Sequence, residues 1–126
     1  MGIQSVTDLL IHKKAIELAE IAYSHVVKWS YFDKDTVGKQ LIRSLDSIAA
    51  NIAEGHGRYS FKENKLFCTY ARGSLVESQT WLLKAGKRNL IPETEVQKLN
   101  TELEVLHKML NSNIRAIGER YKRTGV

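Results

Sequence analysis

Proline and aromatic residues are scarce in this chain of 126 residues: Pro92 is the only proline, and aromatic residues make up 8% of the sequence. This composition argues against a sheet-rich fold. Hydrophobic residues at 43% and charged residues at 26% are ordinary for a globular protein, and no stretch departs from that balance. We therefore expect one mostly helical domain over residues 1–126.

Cysteine is equally scarce, since Cys68 is the only one. A lone thiol can form no disulfide within the chain and lacks the partner thiols of a structural zinc site, which suits a reducing compartment. No apolar run approaches the ~20 residues that cross a bilayer. The opening MGIQSV also lacks the basic start and apolar stretch of a signal peptide. The sequence therefore predicts a cytoplasmic protein that does not enter a membrane.

Apolar residues recur every three or four positions in four segments, which predicts four helices. We expect these helices near residues 6–29, 35–55, 60–88 and 92–122. Asp35 can cap the second helix. Ser60 and Glu63 have the S-x-x-E spacing of a capping box before the third helix. Pro92 suits the first turn of the fourth helix.

The connections between the predicted helices are short. Gly55 and Gly57, for example, supply the permissive backbone that ends the second helix a few residues before the third begins. Each amphipathic helix can bury its apolar stripe only against the other three. The sequence therefore predicts an all-α, up-down-up-down four-helix bundle.

The third predicted helix has an apolar side and a basic side. At ~100° per residue, the side that we expect to face the core carries Phe67, Tyr70, Ala71, Ser74, Ser78, Trp81 and Ala85. The opposite side carries Lys62, Lys65, Arg72 and Lys87, together with Arg58 from the preceding turn. Residues 61–91 contain six Lys or Arg and two Glu, and this surplus of four makes up most of the chain's net charge of +5.

Two interpretations of the basic side are open. Spaced Lys and Arg can replace counterions along a nucleic-acid backbone, which predicts binding of RNA or DNA. Alternatively, the basic side is only a solvated helix face. Val76 and Leu83 project onto the same outward side, which suggests a contact between subunits, although isolated Val and Leu are common on protein surfaces.

A stripe of small polar residues runs along the second predicted helix. Its members are Gln40, Ser44, Ser47 and Asn51. They could bridge to Ser74, Ser78 or Glu77 on the third helix if the two helices approach closely. Buried small polar groups usually satisfy one another or fix the register of two helices, so we interpret the stripe as structural.

Catalytic and metal-binding patterns are weak. Glu104 and His107 form one E-x-x-H pair, a spacing that offers two metal ligands, but a di-metal site in a bundle needs a second such pair. Ser74 lies in the middle of a helix without an evident base. We therefore expect no metal, no cofactor and no enzymatic activity.

Two segments resemble the signature of a known family. They are SIAANIAEGHGRYSFKEN, from Ser47, and YARGSLVESQTWLLKAG, from Tyr70. Both are similar to the 23S rRNA-intervening sequence proteins, bacterial four-helix bundles with a SI..NIAEG.gR segment on the second helix and an A.GSl.E segment on the third. The matching residues are Ser47, Ile48, Asn51, Ile52, Ala53, Glu54, Gly55, Gly57 and Arg58 in the first segment, and Ala71, Gly73, Ser74, Leu75 and Glu77 in the second.

The resemblance covers nearly the whole chain and carries expectations of its own. It implies a compact bundle that assembles as a ring, typically a homopentamer, with no established catalytic activity. Relatives associated with diversity-generating retroelements are basic pentameric scaffolds that bind a reverse transcriptase and nucleic acid, and this chain has a general likeness to them. Two functions stay open: an oligomeric nucleic-acid-binding or scaffold protein, and a protein–protein interaction module that binds no nucleic acid.

The glycine-containing turn after the second helix has a polar character of its own. We expect Asn51, Glu54 and Arg58 to form a fixed polar joint between the second and third helices, with Glu54 and Arg58 close enough to pair across the turn. We interpret Asn51 and Glu54 as architectural, and we keep Arg58 as a candidate ligand contact.

Overall fold

The computed structural model describes residues 6–125 and has an all-α fold. Four long helices are joined by short connections, and a three-residue helix followed by a π-helical turn leads into the second of them. The helices are α1 (Val6–Val26), α2 (Tyr31–Asp33), α3 (Lys39–His56), α4 (Phe61–Lys87) and α5 (Glu93–Thr124), and the π-helical turn is Lys34–Gly38.

The long helices form an up-down-up-down bundle, which confirms the predicted fold. Helix α3 packs against α1 and α4, and α5 packs against the same two helices. Among the described residues, α1 and α4 therefore lie diagonally across the bundle. Because the chain reverses direction between successive long helices, α1 and α4 run parallel to each other. No helix between residues 6 and 125 has the length and apolar character that crossing a bilayer requires.

A continuous core joins all four long helices. Its large side chains include Ile11 and Leu18 from α1, Leu41, Ile48 and Ile52 from α3, Leu75 and Leu82 from α4, and Leu99, Leu103, Leu106 and Leu110 from α5. The stripes that the sequence predicts for the second and fourth helices are thus buried. A smaller cluster of Cys68, Ile114 and Ile117 lies between α4 and α5.

The buried face of α4 is rotated from the one that the sequence predicts. Tyr70 is 49% exposed, whereas Leu75 and Leu82 are fully buried. Phe67 and Trp81 are half-buried. The reason is that α4 packs against α3 on one flank and α5 on the other, so the centre of its buried face lies between those two neighbours and away from Tyr70.

The start of the second helical region differs from the prediction. The backbone amide of Asp33 donates to the hydroxyl of Ser30 at 3.3 Å, so Ser30 is the capping residue and helical structure begins at Tyr31. Asp35 lies inside the π-helical turn and caps nothing. The first helix correspondingly ends at Val26 rather than near residue 29, because the chain must turn before Ser30 adopts its extended backbone.

The starts of α4 and α5 agree better with the sequence. The amide of Glu63 donates to the hydroxyl of Ser60 at 3.2 Å, which confirms the predicted cap of α4. Pro92 is the residue that precedes α5, and its first turn contains Glu93 and Glu95, whose negative charges stabilise the positive end of the helix dipole.

Candidate nucleic-acid interface

A groove of about 400 Å³ between α4 and α5 concentrates positive charge. Four cationic side chains and one carboxylate line it, so the field in the groove attracts anions. The lining residues are Lys65, Arg72, Asn111, Ile114, Arg115, Gly118, Glu119 and Lys122.

The four cations come in matched pairs from the two helices. Lys65 and Arg72 are seven residues apart on α4, and Arg115 and Lys122 are seven residues apart on α5. A seven-residue step returns to the same side of a helix after two turns, about 10 Å further along. The sequence analysis identified the α4 pair and missed the α5 pair, although the same spacing at the basic end of the fourth helix could have indicated it.

Two contacts hold the α4 cations in the groove. The guanidinium of Arg72 donates to Asn111 Oδ1 at 2.9 Å, which fixes its direction between the helices. The side chain of Lys65 crosses α5 at Gly118, where a Cβ atom would lie 3.5 Å from Lys65 Nζ. A longer side chain at position 118 would compete with Lys65 for this space, so glycine keeps the groove open.

The other predicted cations of α4 lie further away. Lys62 is exposed and lines a shallow hollow next to the groove, together with Glu63, Lys65, Leu66 and Thr69. Lys87 is exposed in the last turn of α4. It lies ~33 Å along the helix from Lys65 at the usual rise per residue. The structure therefore brings together Lys62, Lys65 and Arg72, but not Lys87.

Arg58 belongs to the joint between α3 and α4. Its Nη2 atom donates to Glu54 Oε1 at 2.7 Å, which confirms the pair that the sequence predicts. Its guanidinium also lies over the ring of Phe67, 4.6 Å from the ring centre. The charge of Arg58 is thus partly offset within the joint.

The two glycines of this joint have different roles, and neither has a positive φ angle. Gly55 is a buried residue of α3, and a Cβ atom there would lie 2.8 Å from Asn64 Oδ1 and 3.1 Å from the Asn64 carbonyl oxygen. Glycine is thus required by the close approach of α4 rather than by the end of a helix. Gly57 follows α3 with φ −79°, and a Cβ atom there would make only ordinary contacts.

Hydroxyl groups join α3 to α4 in two places. Ser47 Oγ lies 2.9 Å from Ser74 Oγ, and Ser78 Oγ donates to Ser44 Oγ at 2.9 Å. Asn51 donates to the Ser47 hydroxyl at 2.9 Å, which extends the first contact along α3. The predicted polar bridge between these helices is confirmed, and the Ser74 hydroxyl is engaged in it.

Two other positions of the second motif do not join the bridge. Glu77 Oε2 accepts from Trp81 Nε1 at 3.0 Å on the same helix, so the expectation that Glu77 could reach α3 is wrong. The side-chain position of Gly73 faces outward, and a Cβ atom there would meet nothing within 4 Å.

Comparison with known proteins identifies the family of this chain. A sequence model described as 23S rRNA-intervening sequence protein matches residues 7–112, which include both motifs and the α4 half of the groove. The chain belongs to the 23S rRNA-intervening sequence protein family. No curated protein matches it.

One solved structure has the same fold as this chain. It is a protein of unknown function from the S23 ribosomal protein family of Bacteroides thetaiotaomicron, with a TM-score of 0.80 and 23% sequence identity. The similarity covers 87% of this chain and 99% of the other. At this level of identity the comparison establishes the shared bundle and assigns no role to the groove.

This chain has a buried polar cluster at one end of its bundle, which the sequence analysis missed. His56, 2% exposed, faces Asp8, 1% exposed, with 3.7 Å between His56 Nε2 and Asp8 Oδ1. Burial lowers the pKa of His56, the positive charges of His12 and Arg120 lower it further, and the negative charge of Asp8 opposes this shift. The net shift favours the neutral imidazole inside the bundle.

Cys68 lies near this cluster and is fully buried. Its thiol is 3.6 Å from Asn64 Oδ1, and Asn113 Nδ2 donates to its sulfur at 3.7 Å. Burial and the charge of Asp8 raise the pKa of Cys68 to about 11, against a smaller opposing effect of Asn113. The thiol is therefore protonated at neutral pH.

The E-x-x-H pair of the fourth predicted helix is used differently. Glu104 Oε1 accepts from Gln79 Nε2 at 2.6 Å and so helps to join α5 to α4. Between residues 6 and 125, no three His, Cys, Asp or Glu side chains are grouped so that they could hold a metal ion.

Proposed function

We propose that this protein is a non-enzymatic homo-oligomer with a nucleic-acid-binding or scaffold role, exercised through the basic groove between α4 and α5. The observation that carries the proposal is the set of four cations, two from each helix, around a groove with a single carboxylate. Such a groove suits the phosphodiester backbone, because each neutralised phosphate releases condensed counterions. RNA and DNA share this backbone.

The groove favours binding with little sequence preference. Base recognition needs donors and acceptors that reach base edges, or aromatic rings on which bases stack. No aromatic ring lines the groove, and the oxygen of its one amide, Asn111, already accepts from the guanidinium of Arg72, which leaves mainly cations suited to phosphate contacts. Phosphate contacts of this kind position a nucleic acid without reading its bases.

The residues that we propose for binding differ in part from those that the sequence predicts. Lys65 and Arg72 remain central, and Arg115 and Lys122 join them from α5. Lys62 extends the same surface from the neighbouring hollow. Arg58, paired with Glu54, and Lys87, at the far end of α4, would make secondary contacts with a long polyanion.

Fluorescence anisotropy with labelled single-stranded and double-stranded RNA and DNA, across a range of salt concentrations, tests this proposal. The double variant Lys65→Glu with Arg115→Glu should weaken binding to every sequence and reduce the slope of log K against log salt by about two. The control is Lys39→Glu with Lys98→Glu, because it changes the net charge equally at exposed positions outside the groove.

Two results would overturn the groove as the site. One is the absence of binding by the wild-type protein at low salt. The other is an equal loss of binding in the control variant, which would show that net charge alone matters. The first result would also favour the alternative function, a protein–protein interaction module without nucleic-acid binding, for which the exposed Val76 and Leu83 of α4 offer a surface.

The oligomer is the second part of the proposal. Val76 is 48% exposed and Leu83 is 56% exposed, and both are apolar residues on the outward side of α4. We propose that they lie in a subunit interface of a homo-oligomer, and the resemblance to the family makes five the expected number of subunits.

A reducing compartment such as the cytoplasm suits the single, buried thiol of Cys68.

A further inference from the structure

Exposed large apolar side chains are concentrated on two of the four long helices. Within the described chain, α3 has none, and α5 has Val105 and, near its end, Tyr121. The larger set belongs to α1, with Leu9, Leu10, Ile16, Ile21, Tyr23 and the adjoining Val27, and to α4, with Leu66, Tyr70, Val76 and Leu83. Helix α1 is therefore apolar on its outer as well as its inner side, which is typical of a helix covered on both sides.

On each of these two helices the outward residues form a row with heptad spacing. The α1 row consists of Leu9, Lys13, Ile16, Glu20, Tyr23 and Val27. The α4 row consists of Leu66, Thr69, Gly73, Val76, Thr80 and Leu83. Alternating steps of three and four residues keep a row on one side of a helix, as in helices that pack along their length against a partner.

Gly73 gives the α4 row its most informative position. A glycine inside a helix costs about 0.5–1 kcal/mol relative to alanine. No contact within the subunit requires it, because a Cβ atom at this position would meet nothing within 4 Å. A helix that approaches closely from outside the subunit would require it. The neighbouring row positions, Thr69 and Thr80, are also small, whereas Ile16 and Tyr23 of the α1 row are large.

The two rows lie on different sides of the bundle, since α1 and α4 occupy diagonal positions in it. A contact between the α1 row of one subunit and the α4 row of another therefore leaves one row free on each subunit. Different surfaces that pair head to tail generate a closed ring when the rotation between subunits closes. Because α1 and α4 run parallel, rotation about an axis along the bundle brings the rows together in parallel.

Residue size complements across this pairing. When Ile16 lies over Gly73, a parallel pairing brings Tyr23 to the level of Thr80, because both positions are seven residues further along their helices. Two large side chains of the α1 row thus face two small residues of the α4 row.

We propose that the α1 row of one subunit packs in parallel against the α4 row of a second copy of this chain, with large α1 side chains lying over Gly73, and that the contact repeats around a ring. This inference rests on the homo-oligomer of the proposed function and identifies its two surfaces. The basic groove lies on the α5 side of the α4 row, so the pairing leaves it open. The pairing covers part of the neighbouring hollow, because Leu66 and Thr69 of the row line it.

Two lysine substitutions test the two rows separately by light scattering after size-exclusion chromatography. Gly73→Lys and Ile16→Lys each place a charge in one row at an exposed position: a Cβ atom at position 73 would meet nothing within 4 Å, and Ile16 is 42% exposed. Each should reduce the assembly to single chains or short, open oligomers. Ala50→Lys, on the exposed side of α3, should keep the wild-type mass. Circular dichroism verifies that all variants retain their helices.

Mixing the two variants separates head-to-tail pairing from other interfaces. Ile16→Lys keeps an intact α4 row and Gly73→Lys keeps an intact α1 row, so together they should form a complex of two chains and no larger assembly. If either variant alone keeps the wild-type mass, the proposed pairing is wrong while the homo-oligomer stands. A wild-type protein of single-chain mass at tens of micromolar would overturn both. Anisotropy with labelled RNA on the same samples reports separately on the groove.

Discussion

The hydroxyl groups of Ser47 and Ser74 lie 2.9 Å apart and connect the two sequence motifs of the family across the interface between α3 and α4. One turn further along, Ser78 donates to Ser44 in the same way. Small side chains let the helices approach closely, and each hydroxyl finds its partner on the facing helix. The polar stripe of the second predicted helix is thus part of a register-fixing contact inside the bundle.

The buried pair Ser44 and Ser78 should show measurable coupling. Ser78→Ala leaves Ser44 without its donor, so we expect a loss of about 1–3 kcal/mol in the free energy of unfolding. The double variant with Ser44→Ala should lose less than the sum of the single variants, because neither hydroxyl is then unsatisfied. Urea unfolding at one fixed protein concentration measures the cycle. Strict additivity would contradict a direct bond between the two hydroxyls.

Alanine should be costly at one glycine of the NIAEG.G segment and tolerated at the other. A Cβ atom at Gly55 would lie 3.1 Å from the backbone oxygen of Asn64, which cannot move without shifting α4. We expect Gly55→Ala to lower the free energy of unfolding by about 1–3 kcal/mol. Gly57→Ala, whose Cβ atom would have its nearest contact at 3.5 Å, should stay within about 0.5 kcal/mol of the wild type.

Thermal unfolding of the three proteins under identical conditions compares these glycines directly. An unchanged melting temperature for Gly55→Ala would show that α4 can yield at this point. The close approach at Asn64 would then not be the reason for glycine there.

Local patterns predicted the bundle well because the information lies within each helix. The apolar stripes of α3 and α5 and the cap at Ser60 depend on residues a few positions apart. The start of the second helical region was less predictable, since Ser30 and Asp35 both have side chains suited to a cap. The observed Ser30 cap adds α2 and a π-helical turn before α3.

Features that depend on packing between distant segments escaped the sequence analysis. The basic character of α4 was evident, but Arg115 and Lys122 join it only because α5 runs antiparallel beside α4. The contact of Asp8 with His56 likewise joins the start of α1 to the end of α3. Neither residue belongs to a spacing pattern, so no local signal distinguished them from surface residues.

Cys68 should resist thiol reagents in the folded protein. Only the thiolate reacts, and raising the pKa from 9.0 to about 11 reduces its fraction by about a hundredfold, in addition to the complete burial of the side chain. We expect Ellman's reagent at pH 8 to modify native protein far more slowly than protein unfolded in guanidinium chloride. Rapid modification of the native protein would show that the end of the bundle near Asp8 opens readily.

Stability should fall as the solution becomes mildly acidic because of His56. Its pKa in the folded protein lies below the usual value of 6.5, so the unfolded chain binds a proton first as the pH decreases. The stabilisation is complete above about pH 6.5 and is lost as the pH falls from there through the folded pKa. One such group contributes a slope of at most about 1.4 kcal/mol per pH unit. Urea unfolding between pH 7.5 and 5 at constant ionic strength measures this slope, which His56→Gln should reduce. An equal slope in the wild type and His56→Gln would mean that carboxylates elsewhere, rather than the buried imidazole, account for the acid sensitivity.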